Sequence, residues 1–184
     1  MLDKILCRIY NIYRENWGDF VILDLKKAFS SERYCETTQF SLDLSDVEFF
    51  GNKPFLTPIK FSVTLKNSAD VVTLLIKGEA DYTAPCDRCA TNCNERILVD
   101  REYILVTEQE NEDNENILLV EEKELNLAEL CRTDVMLQIP MKHLCKPDCK
   151  GLCSQCGINL NEKSCNCNKK QIDPRLAALK ELLD

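Results

Sequence analysis

A single histidine and only five glycines in 184 residues narrow the possible chemistry at once. One imidazole, His143, leaves little scope for histidine-based acid–base catalysis. None of the glycines forms a loop that would cradle phosphates. His143 itself is expected to be a packed or exposed side chain rather than a ligand. Long apolar runs are also missing, and no segment approaches the ~20 residues that span a bilayer. The opening stretch MLDKILCRIYNIYRENW has no small-residue cleavage site and does not read as a secretory signal. A basic excess is absent too: the formal net charge is −8, whereas a generic nucleic-acid binder is basic. These absences lead to the expectation of a non-enzymatic protein in a reducing, cytoplasmic setting, with no membrane partner and no small-molecule substrate.

What the chain has in excess is cysteine. Six of its twelve lie in CKPDCKGLCSQCGINLNEKSCNC, residues 145–167. The apolar content, 45%, is enough for an ordinary core, so disulfides are not needed to rescue one. In a reducing compartment, thiols this dense point to metal. Cys153-Ser-Gln-Cys156-Gly157 has the form of a zinc knuckle. Two residues between thiolates let the chain turn around one ion, and the glycine admits the positive φ that aims backbone N–H groups at sulfur. Cys165 and Cys167 supply the closing pair of a four-thiolate structural site.

Cys86-Asp-Arg-Cys89 is a second half-site, and Cys145 with Cys149 would complete it. The alternatives are one structural Zn2+ with leftover thiols or two structural ions. A different reading makes the CxxC pairs the working parts of a thiol redox or iron–sulfur protein. Redox pairs usually open a helix after a strand, whereas the sequence after Cys89 returns to strand pattern. Cys93 can substitute for either turn cysteine. Cys131 reads as core, and Cys7 and Cys35 as isolated.

The apolar pattern gives the fold class. Ile59, Phe61, Val63 and Leu65 alternate with polar residues at the period of a half-buried strand. Val72, Leu74, Ile76, Ala80 and Tyr82 repeat the pattern after the turn sequence NSAD, with Gly78 a candidate bulge. Ile97, Val99, Tyr103 and Leu105 repeat it again. FVILDL and FSLDL upstream and ILLV at 117–120 read as further strands. Asn126 is a candidate N-cap and Pro140 a stop for a helix over 126–139. The expectation is α+β: an antiparallel β meander or barrel-like sheet with a packed helix, then a small Cys-rich zinc-knuckle module and a C-terminal helix. The boundaries are 1–18 for an N-terminal extension with helical spacing, 19–140 for the β domain, 141–170 for the Cys-rich module and 171–184 for the last helix. TEQENEDNEN at 107–116 reads as a mobile acidic loop.

In chain order, CDRC after a strand meander, a helix ending in IPMKHLC, then DCKGLCSQCGINLN, CNC and DPRLAALKELL resemble the YceD family over roughly residues 20–184. The resemblance implies a part in ribosome biogenesis, namely accumulation of large-subunit (23S) ribosomal RNA. It also implies contact with that RNA, a ribosomal protein or an assembly intermediate. Lys142, Lys146, Lys150, Lys169, Lys170 and Arg175 form the candidate contact surface, held in place by the knuckle. Similar proteins that keep the first CxxC and lose most of the later cluster fit a knuckle that clamps structure.

Overall fold

The computed structural model describes residues 8–10, 21–49, 51–108 and 114–167. The strands are β1 (Arg8–Tyr10), β2 (Ile22–Asp24), β3 (Arg33–Leu42), β4 (Ile59–Ser68), β5 (Val71–Pro85), β6 (Asn92–Val106), β7 (Ile117–Leu119) and β8 (Glu124–Asn126). The helices are α1 (Lys26–Phe29) and α2 (Leu127–Gln138). The chain divides into two compact units. One holds Met1–Ala84 with Asn94–Met141, and the other holds Pro85–Cys93 with Lys142–Asp184.

The first unit is built on a six-stranded sheet in the order β1-β3-β4-β5-β6-β7. β3, β4 and β5 pair antiparallel in continuous register, Phe40 opposite Phe61 and Phe61 opposite Gly78. The period-two reading holds residue by residue, since Ile59, Phe61, Val63 and Leu65 are all buried. Their neighbours on β5 and β6 join one core with Leu127, Cys131 and Val135 of α2. A second, two-stranded sheet pairs β2 with β8, which the sequence pattern did not reveal.

Three expectations need correction. Among the described residues the sheet order is linear, with no pairing of β1 to β7 that would close it as a barrel. Its edges carry three-residue strands paired in parallel, β1 on β3 and β7 on β6, and strands so short blunt an edge without closing it. Gly78 is not a bulge, because the ladder runs through it unbroken. A Cβ there would come within 2.6 Å of the Phe61 ring, so the glycine makes room for an aromatic ring that also stacks on Phe40 at 5.5 Å. The helical spacing read in the N-terminal extension is overridden at Arg8–Tyr10, which forms β1 with Arg8 opposite Glu36. Pairing with a sheet edge outweighs local periodicity when the segment is short. The rest of residues 1–18, residues 109–113 of the acidic loop and the expected helix at 171–184 lie outside the described residues.

α2 begins as its sequence implies. The Asn126 side chain accepts from the N–H groups of Ala128 and Glu129, which satisfies two of the donors a helix start leaves unpaired. One buried polar group was not anticipated. Asp134 of α2 is fully buried, accepts from the Tyr103 hydroxyl and lies 3.6 Å from Arg101 Nε. Burial, the largest influence, raises its carboxyl above the ordinary 3.8, against the opposing hydrogen bond from Tyr103 and charge of Arg101.

Candidate metal centres

All eight thiols expected at metal lie in the second unit, and they fall into two groups. Cys86, Cys89, Cys145 and Cys149 form one group and Cys153, Cys156, Cys165 and Cys167 the other, with the sulfurs of each within 4.8 Å of one another. Cys86 to Cys149 is 3.8 Å, Cys89 to Cys145 is 3.6 Å and Cys153 to Cys165 is 3.4 Å. A disulfide needs about 2.05 Å between sulfurs, so these are thiol groups. An ion bound tetrahedrally at ~2.3 Å from each sulfur requires edges of about 3.8 Å. A polynuclear iron–sulfur core places sulfide between its irons and spreads its four thiolates further. The observed separations fit a single ion in each group.

The same backbone device builds both CxxC turns. In the first, the Cys86 N–H donates to Thr91 O at 2.9 Å and the Ala90 N–H to Cys86 O at 2.9 Å. In the second, the Cys153 N–H donates to Ile158 O at 2.8 Å and the Gly157 N–H to Cys153 O at 2.9 Å. The residue after the second cysteine takes positive φ in each, 54° at Ala90 and 71° at Gly157. Gly157 carries that conformation without a Cβ penalty, whereas Ala90 bears strain. Cys86–Cys89 therefore shares the turn of Cys153–Cys156, and it lies in a turn rather than at the helix start where redox pairs usually sit.

Two residues that the sequence reading passed over hold the halves of the first group together. The Asp87 N–H donates to His143 O at 2.9 Å, and the Asp87 carboxylate accepts from the His143 N–H at 2.7 Å. Arg88 Nη1 donates to Cys149 O at 2.8 Å, and Arg88 O accepts from the Leu152 N–H at 3.0 Å. Gly151, at φ 75°, permits this approach, because a Cβ there would sit 3.0 Å from Arg88 O. Asn161 adds a side-chain donor to Cys149 Sγ at 3.3 Å. Both residues inside Cys86-x-x-Cys89 therefore reach across to the 143–152 segment. The available signal was their hydrogen-bonding side chains in a two-residue spacer.

The thiols of each group differ widely in how readily they ionise. Burial works against ionising Cys86, yet the backbone N–H groups of Cys145, Arg88 and Cys89 bring it down to about 6. Backbone N–H groups of Cys156 and Gln155 and the neighbouring thiols bring Cys153 to about 6 against a smaller cost of burial. Burial and then the Cys89, Cys149 and Cys86 sulfurs push Cys145 up to about 12. The Cys156 thiol and then burial push Cys167 up to about 12. Four thiols packed together cannot all ionise alone. A divalent cation would remove that conflict, and the four thiols of each group could supply four ligands to it.

His143 is buried and packed, with Nε2 3.1 Å from Cys93 Sγ. Cys93 stands outside both groups. Cys131 is fully buried, its thiol pushed up by burial and then by the charge of Asp134. Cys35, read as isolated, is disulfide-bonded. Lys142, Lys146 and Lys150 are exposed, while Lys169, Lys170 and Arg175 lie outside the described residues. No described helix is long and apolar enough to cross a membrane.

The profile of the family described as large ribosomal RNA subunit accumulation protein YceD matches residues 74–183. The chain belongs to this family. The match is shorter than the resemblance read from the motifs, starting within β5. The chain is 33% identical over 109 residues to the uncharacterized protein Rv2926c of Mycobacterium tuberculosis, covering 56% of this chain and 52% of that protein. It is 38% identical over 53 residues to the chloroplastic large ribosomal RNA subunit accumulation protein YCED homolog 1 of Arabidopsis thaliana, 29% of this chain and 16% of that one. It is 24% identical over 127 residues to YlbN of Bacillus subtilis, 66% of this chain and 74% of that protein. The chain thus spans about half the length of the mycobacterial relatives it matches. No solved structure matches it.

Proposed function

We propose that this chain is a non-enzymatic, cytoplasmic factor of ribosome biogenesis that supports accumulation of 23S ribosomal RNA, with one structural zinc ion in each four-thiol group. The biological half of this reading rests on membership of the family named for ribosomal RNA accumulation. The chemical half rests on one observation, the sorting of eight thiols into two sets of tetrahedral dimensions. Zinc is the ion of choice because four-thiolate tetrahedra are its ordinary structural site and need no redox partner. A set of four protein ligands has no open position for substrate, which supports a role in binding.

In this reading Cys86, Cys89, Cys145 and Cys149 hold one ion, and Cys153, Cys156, Cys165 and Cys167 hold the other. Each ion neutralises thiolates and fixes the turns that carry Lys142, Lys146 and Lys150 for contact with large-subunit RNA, a ribosomal protein or an assembly intermediate. Two experiments test the two halves. Elemental mass spectrometry on protein made without added zinc should find two zinc ions per chain; iron or no metal overturns the zinc assignment. Depleting the protein in cells should lower 23S relative to 16S ribosomal RNA, with recovery on supplying the intact chain. An unchanged ratio overturns the biological assignment.

A further inference from the structure

Cys93 is a ninth thiol of the second unit, placed beside a complete set of four. It is the second residue of β6 and packs against Cys86, Cys89 and Cys149. Its sulfur lies 3.1 Å from His143 Nε2, and the same nitrogen lies 3.2 Å from the Cys93 carbonyl oxygen. His143 is 4% exposed, and its backbone is pinned on both sides by Asp87. An anchored imidazole therefore holds an additional thiol against the first centre. The second centre has no counterpart: residues 153–167 contain no cysteine or histidine beyond the four of the set.

We infer that Cys93 is a reserve ligand of the first centre, able to complete a four-sulfur set when one of the turn thiols, Cys86 or Cys89, is lost. The inference rests on the reading of that group as a metal centre. Exchanging one sulfur for another keeps both the charge and the soft donor type that a thiophilic divalent ion prefers. In the exchange Cys93 gives up its contact with His143, releases its thiol proton to solvent and forms one sulfur–metal bond in place of the one lost. No electron is transferred. A turn about χ1 between staggered wells moves a cysteine sulfur by about 3 Å, comparable to the separations within the group. His143 acts as a positioning residue, keeping the reserve thiol near the ion without crowding a filled tetrahedron.

The test compares the unmutated full chain with Cys89→Ala, Cys89→Ala/Cys93→Ala and Cys156→Ala. Three properties are read: ions per chain, the absorption of the Co2+-substituted protein, and maleimide labelling located by mass spectrometry. The expected result is two ions in the unmutated chain with Cys93 labelled. Cys89→Ala should keep two ions, retain the spectrum of four-thiolate cobalt and protect Cys93 from label. The double variant and Cys156→Ala should each hold one ion. The inference is overturned if Cys89→Ala falls to one ion with Cys93 still labelled, or if the double variant still holds two. Should Cys89→Ala fail to fold, Cys86→Ala with and without Cys93→Ala poses the same question from the other turn thiol. An unmutated chain without any ion would instead refute the metal centre, so the two failures remain distinct.

Discussion

Removing Cys145 and Cys149 together should cost more stability than any surface change of similar size. The reason is topological. An ion held by Cys86, Cys89, Cys145 and Cys149 links two segments that are far apart in sequence, and the shortest loop it closes between those segments runs from Cys89 to Cys145. That loop holds about 56 residues, and the chain-entropy cost of such a link, treated as a cross-link in the unfolded chain, is about 4 kcal/mol. The second centre joins its two cysteine pairs by a shortest loop from Cys156 to Cys165, about 9 residues, for which the same relation gives about 2.5 kcal/mol. With a urea slope near 2 kcal/mol per molar, the Cys145→Ser/Cys149→Ser variant should unfold at about 2 M less urea than the parent chain. Cys165→Ser/Cys167→Ser should move the midpoint by about 1 M. Each variant is checked for ion content alongside circular dichroism through a urea titration. Both should lose one ion of two. Losing the ion from the first centre with no change in midpoint would refute the cross-link reasoning, and an unchanged ion count would refute the ligand set.

Three further outcomes are expected from other parts of the molecule. Asp87→Ala or Arg88→Ala should weaken metal binding at the first centre by about 10- to 100-fold, since groups that orient ligands carry that much affinity; competition with a chelator reads this, with the second centre unchanged as the internal control. The β4–β5 turn uses Ala69 at φ 53° and Asp70 at φ 64°, where Asn-Gly is preferred, so Ala69→Asn/Asp70→Gly should stabilise by about 1 kcal/mol in urea or thermal unfolding. Burial raises the Asp134 carboxyl above its unfolded value of 3.8. The folded state therefore holds a proton that the unfolded chain has lost, and this contribution is complete below 3.8 and disappears as pH rises through the raised value. Asp134→Asn carries no such dependence, so its stability relative to the parent should increase with pH across that window; a flat difference would show that burial does not dominate at Asp134.

The strands were legible because their cause is local. A half-buried strand must alternate, and Ile59 to Leu65 and Val72 to Tyr82 do so, which fixed both their existence and their buried face. The knuckle turns were legible for a similar reason, since spacing and a following glycine specify a turn. What escaped notice depends on pairing between distant segments. β8 is only Glu124–Asn126 and becomes a strand because β2 lies beside it. Gly78 has the signature of a bulge until Phe61 is known to be its cross-strand partner. Asp134 looks like a polar residue on a solvated helix face, and only the register of α2 against β6 places it beside Tyr103 and Arg101. Asp87 and Arg88 look like spacers because their partners, His143, Cys149 and Leu152, are more than fifty positions away.

Charge decides how the RNA part of the proposal can work. Four thiolates around a divalent cation retain two negative charges, so two loaded centres contribute four. Among the described residues of the second unit, Arg88, Lys142, Lys146, Lys150 and Lys163 oppose Asp87, Asp148 and Glu162, an excess of two positive charges that the loaded centres more than cancel. If both centres are loaded, the described residues of this unit carry no net positive charge to draw RNA in from a distance, and phosphate contact would come from particular cations at short range. If Lys142, Lys146, Lys150, Lys169, Lys170 and Arg175 each meet one phosphate of single-stranded RNA, log K should fall with log salt with a slope of about −4. Replacing Lys142, Lys146 and Lys150 by alanine should reduce the magnitude of that slope by about 2. The assay is a salt series of filter binding with large-subunit RNA fragments and the zinc-loaded chain. A slope that the triple substitution leaves unchanged would remove these lysines from any RNA interface. Binding too weak to measure at low salt would make a basic ribosomal protein the better partner for a chain of net charge −8, because electrostatic complementarity then favours the protein component of the assembling subunit over its phosphates.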